Sequence, residues 1–164
     1  MQNRLFLFSL CFALSGFLLG DAAAPELAPL QSTMTAFLVE QDAEGKERLS
    51  EVSQVKPGQL IEYALAYNNI SDRDLTEVSI IGPIPPNTQY LAGSAQPSKD
   101  AIPEFSIDNA VTFQPEPVKY KVRLPDGSEE EKVATADMYT QVRWKISSLN
   151  AGEKLTLKYR VQVR

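Results

Sequence analysis

The stretch LTLKYRVQV, residues 155–163, decides the fold class. Apolar side chains occupy every second position, and polar or charged side chains lie between them. Successive side chains of a β-strand point to opposite faces, so this alternation predicts a strand with one buried and one solvated face. Burying its five apolar side chains contributes at most about 10 kcal/mol. The basic residues therefore belong to the outer face of a strand and not to a disordered tail. The inner set is Leu155, Leu157, Tyr159, Val161 and Val163.

The same alternation recurs between clusters of Gly, Pro, Asn and Asp, and no stretch of a dozen residues has apolar positions at helical spacing. In LIEYALAYNN, residues 60–69, one face carries the apolar and aromatic side chains, whereas Glu62 and Asn68 lie on the other. Pro125-Asp126-Gly127 predicts a hairpin between 118–124 and 128–134. The domain is therefore predicted to be all-β, with further strands over 34–40, 49–55, 75–81, 88–91 and around Val142, Trp144 and Ile146.

The first 31 residues are set apart from this domain. An apolar run over 5–19 follows Arg4, and a small-residue stretch follows the run, as is typical of a secretory signal peptide cleaved after Ala22. The run is shorter than the roughly 20 apolar residues of a membrane helix, and the bulky residues before Cys11 do not suit lipoprotein processing. We predict a signal peptide over 1–22, an extended lead-in over 23–31 and one β-sandwich domain over 32–164. The protein is expected to be exported, to the periplasm or the cell surface.

Composition excludes several classes of function. The chain has no histidine, and its one cysteine lies in the predicted signal peptide. Ser-His-Asp and Cys-His nucleophile systems are therefore impossible in the domain, as are zinc and copper sites built on His or Cys. Nothing places two carboxylates at the spacing that glycoside hydrolysis needs. We predict no catalytic residue, no metal site and no cofactor.

Calcium ligation by carboxylates is the remaining metal chemistry. The two candidate groups lack the dense ligand spacing of an EF-hand loop, so ordinary turn carboxylates are the favoured interpretation. Their members are Asp72 with Asp74, and Asp100 with Glu104 and Asp108.

Several motifs resemble the bacterial surface conserved-repeat domains, the domain-of-unknown-function-eleven family. Their order and spacing carry the resemblance across most of the domain. They are Lys56-Pro57-Gly58 with Tyr63 and Tyr67-Asn68-Asn69, the segment 82–86, Tyr90-Leu91-Ala92-Gly93-Ser94-Ala95, Val142-Arg143-Trp144, and the segment 149–157.

The resemblance implies an immunoglobulin-like β-sandwich of two antiparallel sheets, found in secreted or surface proteins as tandem spacers or adhesive stalks, without catalytic residues. This sequence contains one copy and no wall-sorting signal after Arg164, which favours a free periplasmic protein or a small subunit docked on a larger envelope assembly. The long segment 93–137 also departs from the pattern. Its predicted hairpin is expected to project from the body as a candidate contact element.

Charge is unevenly divided along the chain. Residues 23–117 carry 5 Lys and Arg against 14 Asp and Glu, whereas residues 118–164 carry 10 against 6. If the last two strands are neighbours, as the resemblance implies, Arg143, Lys145, Lys158 and Arg160 share one outward face. That face is a candidate surface for an anionic glycan or an acidic partner. The favoured alternative is a solvated face whose cations meet carboxylates on adjacent strands.

Three further features have structural and functional interpretations. Trp144 is expected in the core and not as a sugar-stacking platform, because it alternates with Arg143 and Lys145. Glu129-Glu130-Glu131 is a possible docking tip, although charges there more often keep an edge soluble. Asn69-Ile70-Ser71 matches a glycosylation pattern but is expected to form a turn.

We therefore hypothesise a non-catalytic exported module acting through contact with envelope proteins. The alternative is a carbohydrate-binding module that uses the basic face. Nucleic acid is not an expected partner, given export and the acidic total charge.

Overall fold

The computed structural model describes residues 28–164, so the predicted signal peptide and most of the lead-in lie outside the described residues. These described residues form eleven β-strands and one short 3-10 helix, Ala136–Met138. The all-β prediction is confirmed. The strands are β1 Leu30–Gln41, β2 Glu47–Glu51, β3 Leu60–Asn69, β4 Leu75–Pro83, β5 Thr88–Tyr90, β6 Glu104–Ser106, β7 Gln114–Pro115, β8 Lys119–Arg123, β9 Glu129–Val133, β10 Gln141–Leu149 and β11 Lys154–Val163.

Two antiparallel sheets form the sandwich. The first has five strands in the order β2-β1-β3-β11-β5, and the second has four in the order β4-β10-β6-β7. Strands β8 and β9 pair only with each other, as a separate hairpin. No helix within residues 28–164 is long and apolar enough to cross a membrane.

The apolar faces predicted from alternation meet between the sheets. Trp144, Val142 and Ile146 of β10 are fully buried, and so are Tyr159 and Val161 of β11. The Trp144 ring lies 6.3 Å from that of Tyr159, and its indole N–H donates to the Gln96 carbonyl at 3.1 Å. A buried indole N–H needs such an acceptor, so the prediction that Trp144 lies in the core is confirmed.

Two predicted strand boundaries at the N-terminal side were wrong. β1 begins at Leu30, four residues before the predicted start at Met34, and pairs there with Asn69 of β3. β2 ends at Glu51 and does not continue to Val55. The reason is topological: β2 and β3 flank β1, so the chain after Glu51 must leave the sheet and cross β1 to begin β3.

Asn69 anchors the end of the sandwich. Its side chain is fully buried, and Nδ2 points at the carbonyl oxygens of Arg73, Leu149 and Asn150 at 2.8, 3.0 and 3.0 Å. Oδ1 accepts from the backbone N–H of Ser71 at 3.1 Å and from its hydroxyl at 2.7 Å. The predicted turn at 69–71 is confirmed, and the buried amide occupies the position that the glycosylation interpretation needs exposed.

Gly82 of β4 lies directly against Tyr159 of the opposite sheet. A Cβ at this position would lie 2.6 Å from Cε1 of Tyr159. The Tyr159 hydroxyl donates to the carbonyl of Pro83, and its ring stacks on Tyr63 with centroids 5.2 Å apart. Only glycine leaves β4 enough room for this tyrosine from the opposite sheet.

Candidate functional site

The four cations proposed as one basic face lie on two different sheets. Arg143 and Lys145 belong to β10, which pairs with β4 and β6, whereas Lys158 and Arg160 belong to β11, which pairs with β3 and β5. The outward sides of the two sheets face opposite directions. The expectation that β10 and β11 are neighbours sharing one face is therefore wrong, because the turn between them crosses from one sheet to the other.

On the five-stranded sheet, Arg160 and Lys158 surround Glu62 of the neighbouring strand. The Lys158 ammonium lies 2.9 Å from Glu62 Oε1, and Arg160 Nε donates to Glu62 Oε2 at 2.9 Å. The remaining guanidinium nitrogens bind both carboxylate oxygens of Glu47 on β2, at 2.9 and 2.8 Å. Although Glu62 lies on the outward face, it is only 5% exposed. The four side chains form one network, called here the Glu62 network.

The network holds its carboxylates in the ionised form. Burial of Glu62 opposes ionisation, but the hydrogen bonds from Lys158 and Arg160 outweigh burial and keep its pKa below the ordinary value. The hydrogen bond from Arg160 likewise lowers the pKa of Glu47, and the bonds with Glu47 and Glu62 raise the pKa of Arg160. Lys158 and Arg160 are therefore already paired with carboxylates of their own sheet.

We predict that Arg160→Met lowers the free energy of unfolding at pH 7 by about 1 to 2 kcal/mol, after allowance for solvent screening. Because the folded pKa of Glu62 lies below its unfolded value of 4.5, its contribution is present above that pH and is lost as the pH falls through the folded pKa. The deficit of the variant should therefore shrink below about pH 4. Urea unfolding between pH 3 and 8 measures it, with the 61%-exposed Lys145→Met as control. A deficit that is constant with pH would contradict the ionic explanation.

On the four-stranded sheet, Arg143 is held against Glu104 and Phe113. Its Nε donates to Glu104 Oε2 at 2.9 Å, its Nη2 also donates to that oxygen, and its guanidinium carbon lies 3.9 Å from the Phe113 ring centroid. Lys145 is more remote, with its ammonium 3.6 Å from the same carboxylate. Both sheets thus carry cations that meet carboxylates on adjacent strands, which is the alternative favoured by the sequence.

Each group of cations borders a surface hollow. A hollow of about 420 Å³ lies beside the Glu62 network and is also lined by Ser94 and Gln96. Another, of about 540 Å³, lies over β4 and β10 and is lined by Glu77, Ser79, Arg143 and Lys145. The lining of each hollow includes a carboxylate as well as two cations: Glu62 in the first hollow and Glu77 in the second. Neither therefore has the purely cationic lining expected of a site for an anionic glycan.

Three of the five carboxylates considered for calcium are engaged in hydrogen bonds or an ion pair with other residues of the domain. Asp108 accepts from the Thr112 backbone and hydroxyl at 2.9 and 2.6 Å, and these bonds lower its pKa to about 2. Asp74 accepts from the N–H of Ala151 at 2.9 Å, and Glu104 pairs with Arg143. Within residues 28–164, no cluster of three or more acidic, His or Cys side chains is arranged to hold a metal ion. Asp72 and Asp100 stay unassigned.

The predicted hairpin is confirmed, and it stands apart from both sheets. Val118 and Ala134 are buried at its base, joined by a backbone hydrogen bond of 2.8 Å, whereas all residues of β9 are exposed. Ion pairs cross between its strands from Lys119 to Glu131 at 2.8 Å and from Lys121 to Glu129 at 2.9 Å. Glu129 and Glu131 therefore neutralise the lysines of β8. A docking role for these glutamates stays a prediction.

The sequence pattern missed Glu62 and Glu47 as partners of the cations. The alternation in β3 placed Glu62 outward, but no local signal gives the register with β11 or brings β2 close to Arg160. Comparisons with models of protein families, with curated proteins and with solved structures found no match.

Proposed function

We propose that this protein is a non-catalytic module of the bacterial cell envelope, exported by a signal peptide, that acts through contact with another envelope protein. Its resemblance to the surface conserved-repeat domains supports this assignment, as does the apolar run over residues 5–19. The absence of histidine and of cysteine from residues 23–164 argues against most nucleophilic and metal-dependent catalysis.

The β8–β9 hairpin is the proposed contact element, and its separation from both sheets is the observation that carries the proposal. It pairs with no other strand of the described chain, so its length is not needed to complete either sheet. One face presents Val133, which is 58% exposed, beside the charged pairs of Lys119 and Lys121. An exposed apolar residue within a charged rim is a common composition for a protein contact.

The glycan alternative receives less support. It depended on four cations acting together, and these are divided between two outward faces and paired with carboxylates. A glycan would have to displace Glu62 or Glu104 from its cation before binding to it. Lys145 is the most exposed of the four, and a single exposed lysine gives little selectivity for a polyanion.

The proposal is tested by shortening the hairpin. Residues 121–131 would be replaced by Asn-Gly, a favoured two-residue hairpin turn, so that the paired residues Tyr120 and Lys132 are joined. This change keeps the buried base and Tyr120, which packs against the core. We expect a melting temperature within about 5 °C of the parent, because the removed residues contribute little to the core. Affinity purification from envelope extracts, with partners identified by mass spectrometry, should recover a specific partner with the parent chain only.

The control is a full-length chain with Arg143→Glu and Lys145→Glu, which leaves the hairpin intact. Retention of the same partner by this variant and its loss on shortening would support the hairpin. Recovery of no specific partner by the parent chain would contradict the protein-contact proposal. Binding of the parent to an anionic envelope polysaccharide, lost on charge reversal, would instead support the glycan alternative.

A further inference from the structure

The N-terminal half of β1 presents an unpaired strand edge. β3 pairs with residues 30–39 on one side, but β2 covers only residues 37–41 on the other. Gln31 to Thr35, which β2 does not reach, are exposed. Within the part of the chain that the structure describes, residues 30–36, called here the open edge, therefore have no strand on their second side.

The hydrogen-bond pattern identifies the backbone groups that this edge offers. The N–H of Ile70 donates to the Pro29 carbonyl at 2.9 Å, and the N–H of Asp42 donates to the Lys46 carbonyl at 3.0 Å. Bonded pairs alternate along antiparallel ladders, so odd-numbered residues of β1 bond to β3 and even-numbered residues face the β2 side. The N–H and C=O groups at the open edge are thus those of Leu30, Ser32, Met34 and Ala36.

The other unpaired edges in the described chain carry features that discourage strand pairing. Charged side chains, proline, backbone distortion and short length are the usual devices. β4 has Glu77 with a left-handed φ of 54° and ends at Pro83, and β5 and β7 have only three and two residues. Charges protect the remaining edges, at Glu47 and Glu51 of β2, Lys121 and Arg123 of β8, Glu129 and Glu131 of β9, Lys145 of β10, and Lys154 and Lys158 of β11.

The open edge has none of these devices. Its sequence LQSTMTA contains no charge and no proline, and it is rich in residues that suit β-strands. Met34 is 44% exposed although it shares the inward side of the sheet with the buried Leu65, its partner on β3. The second sheet therefore stops short of this edge and leaves space beside it.

We propose that the open edge pairs with the same edge of a second copy, antiparallel about Gln31, to form a dimer with a continuous ten-stranded sheet. The edge is uncharged on both copies, so no like charges meet, although each chain carries a net charge of −5. Leu30 then lies opposite Ser32 of the other copy, and Ala28 opposite Met34. This register keeps the second copy clear of β2, which pairs with β1 only from Phe37 onwards. A partner selected by charge would find nothing to recognise here, whereas an uncharged strand edge is complementary to itself.

This arrangement gives a sharp test by cysteine cross-linking. The Gln31 residues would form a non-hydrogen-bonded pair, with Cα atoms about 4.5 Å apart, which permits a disulfide. The Thr33 residues would be offset by four positions along the strands, roughly 13 Å, which does not. The full chain would carry Cys11→Ser, so that each introduced thiol is the only one. On mild oxidation, Gln31→Cys is expected to give a covalent dimer at least about tenfold faster than Thr33→Cys.

Sedimentation velocity supplies the second measurement. The parent is expected to shift from monomer towards twice that mass up to about 100 μM, as suits a small interface. Met34→Lys should shift it back to monomer, whereas Leu49→Lys, at a position with the same 44% exposure on β2, should not. A parent that stays monomeric, or equal cross-linking at both cysteines, would overturn the proposal. So would a dimer that persists in Met34→Lys.

Discussion

Replacing Asn69 with leucine is expected to lower the free energy of unfolding by about 3 kcal/mol, because it removes a buried hydrogen-bonding hub without changing its size much. The substitution leaves the carbonyl groups of Leu149, Asn150 and Arg73 without their amide donor. These groups lie where β3, the turn after β10 and the turn after β3 meet. An unsatisfied buried carbonyl costs about 1 to 3 kcal/mol, so the combined loss is a large share of the stability of a small domain.

Thermal unfolding followed by circular dichroism would measure this loss as a fall in melting temperature of about 10 °C. Asn68→Leu is the matched control, because Asn68 is half-buried on the opposite face of the same strand. It should change stability by less than about 0.5 kcal/mol. Equal losses of stability in the two variants would contradict this explanation, because the hydrogen bonds of the Asn69 side chain would then contribute no more than any other contact at this strand end.

Gly82→Ala is expected to lower the free energy of unfolding by about 2 kcal/mol, because the added methyl group would meet the Tyr159 ring at 2.6 Å. The ring cannot move aside easily. It is fully buried, stacks on Tyr63, lies against Trp144 and donates its hydroxyl hydrogen to the Pro83 carbonyl. Relief therefore requires a displacement of β4 away from the opposite sheet.

A double-mutant cycle with Tyr159→Val tests this explanation by urea unfolding. The valine variant loses ring packing and a hydrogen bond, at a cost of about 3 kcal/mol, but it also removes the obstacle to a side chain at position 82. The double variant should be more stable than the sum of the two losses predicts, by about 1.5 kcal/mol. Simple additivity would show that the cost at Gly82 arises from the backbone and not from the tyrosine.

Alternation in the sequence was sufficient to predict the faces of the long strands. Ile61, Leu65, Val142, Trp144 and Leu157 all lie inward as expected, because side-chain direction is set locally by the period of the strand. The hairpin at Pro125-Asp126-Gly127 was predictable for a similar reason, since its turn chemistry and both strands lie within a few residues of one another.

Strand partners were not predictable in the same way. The short turn at Asn150-Ala151-Gly152 is typical of a hairpin, yet β10 and β11 belong to opposite sheets. Asn69, which is distant in sequence, donates to the carbonyl groups of Leu149 and Asn150 at this turn, and its own carbonyl accepts from the N–H of Gly152 at 2.9 Å. The residues of the turn do not indicate that Asn69 binds there. The sequence alone therefore could not show that the four cations lie on two different sheets.

The burial of Glu62 shows the same limitation at a single residue. Its position in the alternation correctly placed it outward, but its exposure depends on which cations lie on β11 and where β2 returns. Register between strands about 100 residues apart is a property of the assembled sheet. Local pattern therefore indicated the direction of the side chain and not its surroundings.

The position of β11 has a consequence for the timing of folding. It is the last strand of the described residues, yet it lies between β3 and β5 inside the five-stranded sheet. While residues 154–163 are still being synthesised, Tyr63 and Glu62 on β3 lack their neighbours, and β5 has no strand to pair with. Such long-range pairing is slow to form. The five-stranded sheet therefore cannot be completed, nor packed fully on the other sheet, until β11 has been made.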